Sequence, residues 1–343
     1  MTLTQPSVKP GKPGEPVRPD QRPPRGEADE AGGKEGGVRA VRPGPGAAAL
    51  TAAGPPRLWV IGASGFVGQH LVAAAAGAFT VLTARIELTD ATAFDRAFAT
   101  LRPDCVVLLA AMSDIDRCER EPALAWSINV VGAQRVAEAC ARLNTRLVFV
   151  STGAVFDGTR HGYRESDPPT PIGHYGRTKA EAEKWVQHHL PSAAIVRSSL
   201  VLGRARQPGT NSLLDKWVAA FAAGRTVAVP AEEYRNPIDV QTLSEGLITL
   251  AARGDAGGLF HLGARESRSR YELAGQVARA LGYPPARVVP QTDPGPGRAP
   301  RGRDHWLLCA DRPGLWPPPL PTCDQVIERA LYGVTQSHSR VGV

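Results

Sequence analysis

Tyr175 and Lys179 stand four residues apart in Tyr175-Gly176-Arg177-Thr178-Lys179. On a helix, positions i and i+4 share a face, so this spacing sets an ammonium beside a phenol. A phenol titrates near ~10 when unperturbed, and a close cation favours its anionic form. Such a pair can give or take a proton near neutral pH. Thr152 lies 23 residues before Tyr175, just past the apolar run Leu147–Val150. A hydroxyl at the tip of a parallel strand faces the crevice where ligands bind in such sheets. Hydroxyl, phenol and ammonium together suit carbonyl chemistry. Hydride addition builds negative charge on oxygen, and donors aimed there stabilise it.

A hydride needs a carrier, and the sequence offers a place for one. Gly62, Gly65 and Gly68 form G-x-x-G-x-x-G between the apolar run Leu58-Trp59-Val60-Ile61 and an alanine-rich helical stretch, Phe66–Ala76. The first glycine permits a tight turn, the second lets backbone approach a pyrophosphate, and the third lets helix pack on strand. The helix start at Phe66 and Val67 supplies free N–H groups and a partial positive charge. The next strand, Phe79–Thr83, ends in Ala84-Arg85 rather than in an acid. A basic residue there accommodates a 2′-phosphate, so NADP(H) is preferred and NAD(H) is possible. Asp90, expected after a third short strand, could accept from the adenine amino group; it is equally placed to cap a helix starting at Ala91.

These residues need a frame. Apolar runs recur at Cys105–Ala110, Leu147–Val150 and Ala194–Val196, with helical patterns at Ala91–Leu101 and Asn129–Leu143 between them. Strands apolar throughout and alternating with helices predict an α/β fold: a Rossmann-type, doubly wound parallel sheet covered on both faces. Beyond Gly203 the pattern loosens into a smaller C-terminal substrate-binding lobe, about residues 204–333. It reads as helices at Ser212–Ala223, Val240–Ala252, Tyr271–Leu281 and Cys323–Tyr332, strands at Thr226–Val229 and Leu259–Leu262, and an irregular Pro-rich stretch, Pro284–Pro321. Residues 1–56, Pro/Gly-rich and nearly free of large apolar side chains, read as a disordered tail. Residues 334–343 read as a frayed end.

Composition narrows the class of function. Of the formal charge of +7, the first 56 residues hold only +2, and the rest is spread too thinly for a nucleic-acid surface. The five cysteines show no C-x-x-C and no pairing rhythm. Structural zinc and a disulfide framework are therefore not expected, and a reducing, cytoplasmic setting is. No apolar run approaches the roughly 18 residues of a membrane span. His161, His174, His188, His189 and His261 lack an H-x-x-x-H spacing, so no metal site is expected.

Taken together, these motifs resemble the extended short-chain dehydrogenase/reductase superfamily, and within it the dTDP-4-dehydrorhamnose reductase group. The resemblance spans about residues 57–333. It rests on Gly62–Gly68, Ala110-Ala111 after the Cys105 strand, Asp116-x-x-Glu119, Asn129, Ser151-Thr152-x-x-Val155-Phe156-Asp157-Gly158 and Tyr175–Lys179. It implies that Thr152 binds the substrate carbonyl oxygen and Tyr175 gives that oxygen its proton. Lys179 would hold the nicotinamide ribose and depress the tyrosine pKa. Ala110, Ala111 and Ser198 would line the cofactor, Ser199 would sit beside it, and Asn129 would anchor the framework unless it is a helix N-cap. In the variable half, Arg235 would pair with a substrate diphosphate, with Asn211, Arg301 and Arg303 as further candidates. The group usually carries Thr-Asp-Tyr where this chain has Thr152-Gly153-Ala154, which leaves the sugar open.

The resulting expectation is an NAD(P)H-dependent reductase of a keto group on a nucleotide-linked sugar, with a homodimer as a possible assembly. Two alternatives remain. One is an epimerase or dehydratase of the same superfamily. The other is a catalytically silent regulatory subunit like the beta subunit of methionine adenosyltransferase.

Overall fold

The computed structural model describes residues 54–291, 297–309 and 320–333. Nearly all of the expected N-terminal tail and the expected frayed end at 334–343 lie outside them. Five strands carry the first half: β1 (Arg57–Ile61), β2 (Thr80–Leu82), β3 (Cys105–Leu108), β4 (Arg146–Thr152) and β5 (Ala194–Ser198). Eight follow: β6 (Val201–Leu202), β7 (Val227–Pro230), β8 (Tyr234–Arg235), β9 (Ile238–Asp239), β10 (Gly258–Leu262), β11 (Arg268–Ser269), β12 (Val288–Gln291) and β13 (Asp304–His305).

The main sheet has six strands in the order β10-β5-β4-β3-β1-β2, all parallel. Strand order therefore reverses beside β1, and ligands in open α/β sheets bind at such a point, outside the carboxyl ends of the strands. Both faces are covered, as the unbroken apolar runs require. On one face α1 (Phe66–Ala75) packs with α8 (Val240–Ala252) against Leu58, Val60 and Val196. On the other lie α2 (Ala91–Leu101), α5 (Gly132–Arg142) and α6 (His174–His189). There Phe94 and Phe98, one helical turn apart, hold the buried Trp59 ring at 5.8 and 5.6 Å.

The C-terminal lobe has its own core. Leu214, Trp217 and Phe221 of α7 (Leu213–Ala222) meet Leu273 and Val277 of α9 (Arg270–Ala280) and Val326 and Ile327 of α10 (Cys323–Tyr332). Capping boxes, Ser269 with Glu272 and Thr322 with Gln325, fix the starts of α9 and α10.

Several expectations are corrected. No third strand lies between β2 and Asp90; residues 83–90 run as irregular chain and turn. The predicted helix Asn129–Leu143 does not begin at Asn129. Short helices α3 (Ile115–Arg120) and α4 (Pro122–Trp126) lead through a π-helical turn, Ser127–Val131, directly into α5. The stretch read as irregular, Pro284–Pro321, contains β12, which pairs with β7, and β13, which pairs with β8.

Candidate active site

The glycine turn joins β1 to α1 as its residue types demand. Gly62 has φ +96°, a left-handed conformation that side chains resist, and a Cβ there would also come within 2.8 Å of Ala110 N. A Cβ on Gly68 would lie 2.1 Å from the Gly62 carbonyl oxygen. A Cβ on Gly65 would meet only that oxygen, at 3.3 Å, so its outer side is open. No side chain caps the first turn of α1, which leaves its N–H groups available. This cradle fits the pyrophosphate of a dinucleotide. Phe66 turns its ring onto His70, so only its backbone faces that site. The Ala110 N–H donates to Ile61 O at 3.0 Å, which holds the end of β3, with Ala111 next to it, against the turn.

Arg85 is exposed, just past β2, and makes no hydrogen bond or ion pair among the described residues. It is therefore free to meet a phosphate. Asp90 is a helix cap: its carboxylate accepts from Ala93 N at 3.0 Å. That engagement favours the structural alternative over an adenine contact.

At the same carboxyl end of the sheet, β4 delivers Thr152 and α6 delivers Tyr175, and both residues line one cavity. Gly176 makes this approach possible, since a Cβ there would lie 2.1 Å from Ala154 O. Thr152 Oγ1 also accepts from Ala154 N at 3.2 Å, capping the 3₁₀ turn Gly153–Val155. Tyr175 packs its ring near Met112, Cys118 and Ala125. Burial pushes its phenol up to about 12, opposed by the Thr152 hydroxyl. The expectation of a depressed tyrosine is thus not met here: desolvation outweighs the Thr152 hydroxyl, and the phenol keeps its proton.

Lys179 is 2% exposed and donates to Val150 O at 2.8 Å. Burial pulls its amine down to about 7, while Glu183, one turn further along α6, acts in the opposite direction. Glu183 in turn pairs with Arg197 at 2.7 Å, both side chains 1% exposed. This buried pair was not singled out in the sequence, where each residue reads as an ordinary surface charge.

Asn129 sits in the π turn and is not an N-cap. Its Oδ1 accepts from Met112 N at 2.8 Å, and its Nδ2 donates to Met112 O at 3.1 Å and Thr178 Oγ1 at 3.0 Å. It therefore ties the loop after β3 to α6. Asp116 and Glu119 of α3 act alongside. Asp116 accepts from Ala299 N and pairs with Arg301 at 2.9 Å. Glu119 accepts from His174 N at 2.7 Å, at the start of α6.

A cavity of about 160 Å³ opens over Thr152 and Tyr175. Ser198, Ser199, Arg235 and Arg301 line it, with Ile115 and Ile172 on its apolar side. Arg235 is at the wall but engaged. Its guanidinium donates to Tyr234 O, Arg303 O and Gly302 O and lies 3.4 Å from Glu233. Asn211 does not line the cavity; it is exposed and accepts from Lys216 Nζ at 2.5 Å. Arg303 pairs with Glu232 at the surface. His305 lines the cavity and was passed over in the sequence, because it lies in the stretch that reads as irregular.

Comparison with known proteins adds the lineage. A dTDP-4-dehydrorhamnose reductase of Mycobacterium tuberculosis is 34% identical over 244 residues, covering 68% of this chain and 78% of the relative. The methionine adenosyltransferase 2 subunit beta of Xenopus tropicalis is 27% identical, over 66% of this chain and 69% of the relative. Among solved structures, a dTDP-4-dehydrorhamnose reductase of Bacillus anthracis in complex with NADP superposes with a TM-score of 0.75 at 24% identity, covering 81% of this chain and 98% of that one. Residues 56–314 match the model of the RmlD substrate binding domain, and the chain belongs to that family.

Proposed function

We propose that this protein is an NADP(H)-dependent reductase of a keto group on a nucleotide-linked sugar. The observation that carries the reading is the one cavity shared by Thr152, at the tip of β4, and Tyr175, with Lys179 one turn along α6 and the glycine cradle at the same carboxyl end of the sheet. The Mycobacterium tuberculosis and Bacillus anthracis proteins, both named as reductases of this kind, support it.

The bound cofactor would supply hydride to the carbonyl carbon. The chain's own residues do the rest. Thr152 and Tyr175 converge on one point, where a carbonyl oxygen can accept from both hydroxyls. As charge grows on that oxygen, these donors stabilise the change. Tyr175 then gives its proton to the oxygen; its raised pKa keeps that proton in place beforehand. Lys179, anchored on Val150, stabilises the phenolate left behind and would reach the nicotinamide ribose. Arg85 would meet the 2′-phosphate, and Gly62, Gly65 and Gly68 would cradle the pyrophosphate. Arg235 and Arg301 would flank the substrate's diphosphate side.

An epimerase or dehydratase is disfavoured, because Gly153 and Ala154 place no acid beside Thr152. The regulatory reading draws on the likeness to the Xenopus subunit. NADPH absorbance followed with a panel of nucleotide-linked 4-keto sugars separates the two. Turnover that drops about 10²- to 10⁴-fold in Tyr175→Phe supports the reductase. Tight NADPH binding with no oxidation by any sugar supports the regulatory subunit instead.

A further inference from the structure

His305 is 6% exposed, yet its Nε2 has no hydrogen-bond partner among the described residues. Buried polar atoms are almost always satisfied, so an orphan nitrogen calls for an explanation. Its position supplies one. His305 ends β13, in register with Arg235, and its carbonyl accepts from Ser199 Oγ at 3.4 Å. The His305 Cβ lies over the strand tip, 3.4 Å from where a Cβ on Gly153 would stand. Gly153, Gly302 and His305 all line the cavity that holds Thr152 and Tyr175. Gly302 covers Nε2 so closely that a Cβ there would stand 2.3 Å from it. Only a residue without a side chain fits there, and Gly302 itself lines the cavity.

Charge fits the same role. Burial, and after it the neighbouring Arg235, push the imidazole down to about 3, against the Phe156 carbonyl and Asp157. The ring is neutral at any working pH. It is no rival to Tyr175 as acid, but it can exchange a hydrogen bond with a neutral hydroxyl. Beside it, Gly153 and Ala154 offer no polar side chain.

We propose that His305 is a specificity-determining residue whose Nε2 hydrogen-bonds a hydroxyl of the sugar on a carbon next to the keto carbon, in the space that Gly153 and Ala154 leave without a polar group. The proposal rests on the keto-sugar reading, and it predicts discrimination between a hydroxylated sugar and its deoxy counterpart. A site built around such a bond rejects the analogue that leaves its polar atom unpaired.

The test is calorimetric titration of the full chain with a nucleotide-diphosphate keto sugar and with the analogue lacking that hydroxyl. Wild type should favour the hydroxylated sugar by about tenfold, the range of one buried hydrogen bond. His305→Phe should cut that preference to within about twofold, while NADPH binding and melting temperature stay near wild type. His305→Leu serves in its place where the phenylalanine does not fold. Equal discrimination by wild type and the apolar variant overturns the proposal, as does a wild type with no preference. The titration does not require turnover. A protein that binds both sugars and oxidises NADPH with neither defeats the reductase reading alone.

Discussion

Lys179 Nζ donates a 2.8 Å hydrogen bond to the carbonyl of Val150, two residues before Thr152 on the same strand. The bond joins helix α6 to the tip of β4, so Tyr175 and Thr152, the proposed proton donor and carbonyl-binding hydroxyl, stand on elements tied to each other. The ammonium also lies over the Phe149 ring, 4.0 Å from its centroid. A cation held this far from water is costly, and burial lowers its pKa accordingly.

That titration predicts a pH signature. Burial pulls the folded pKa of Lys179 down to about 7, from a value near ~10.4 in an unfolded chain. Between the two values the unfolded chain holds a proton that the folded chain has lost. Stability from this group therefore rises with pH across that window, and at pH below about 7 the full penalty remains. Lys179→Met removes the penalty. The variant should melt above wild type at pH 6.5, with the gap narrowing steadily towards pH 9.5. Thermal unfolding at four pH values checks this, and a gap independent of pH would contradict it.

Arg85 is the residue proposed to set the choice of cofactor. It is exposed, unpaired among the described residues and placed just beyond β2. Charge-assisted bonds to a phosphate contribute about 1.5–3 kcal/mol, equivalent to roughly 10- to 100-fold in affinity. Arg85→Ala should weaken NADPH by that factor and leave NADH almost unchanged. Fluorescence titration with both nucleotides measures it; parallel losses for the two would remove Arg85 from the phosphate site.

Much of this site was legible in the sequence because its signals are local. Gly62–Gly68 and Tyr175–Lys179 each lie within one turn of chain, and β1, β3, β4 and β5 are apolar enough to announce a buried parallel sheet. What escaped depends on distance along the chain. Asn129 reads as a helix start until Met112 and Thr178, from two other elements, are seen to occupy its amide. Glu183 and Arg197 look like surface charges until α6 lies on β5. His305 sits in a two-residue strand, too short to show any period, and it gains meaning only when β13 pairs with β8.

Asn129 gives a stability prediction. It is 2% exposed and satisfies both the N–H and the carbonyl of Met112. Asn129→Ala strands the Met112 N–H in a buried site and takes one of two partners from Met112 O, which keeps Cys118 Sγ, and from the Thr178 hydroxyl, which keeps Tyr175 O. Each group stranded in this way costs about 1–3 kcal/mol. The expected loss is about 2–4 kcal/mol, read as a shift of the urea midpoint with an unchanged slope. A loss below half a kilocalorie would mean that water enters and replaces the amide.

Gly176 offers the sharpest test of geometry, because it follows Tyr175 and touches the loop after Thr152. A methyl group on Gly176 would stand 2.1 Å from Ala154 O, a separation that backbone cannot accept. The first turn of α6 must then move away from the tip of β4, taking Tyr175 from Thr152. The glycine cradle between β1 and α1 is untouched by that shift. Gly176→Ala should therefore bind NADPH with near-normal affinity while turnover falls about 10²-fold, the scale of a displacement near 1 Å in a reacting pair. Tyr175→Phe in the same background should cost much less than it does alone, since the phenol is already out of place. Independent, multiplicative losses in the double variant would show that Gly176 acts on something other than the Thr152–Tyr175 contact.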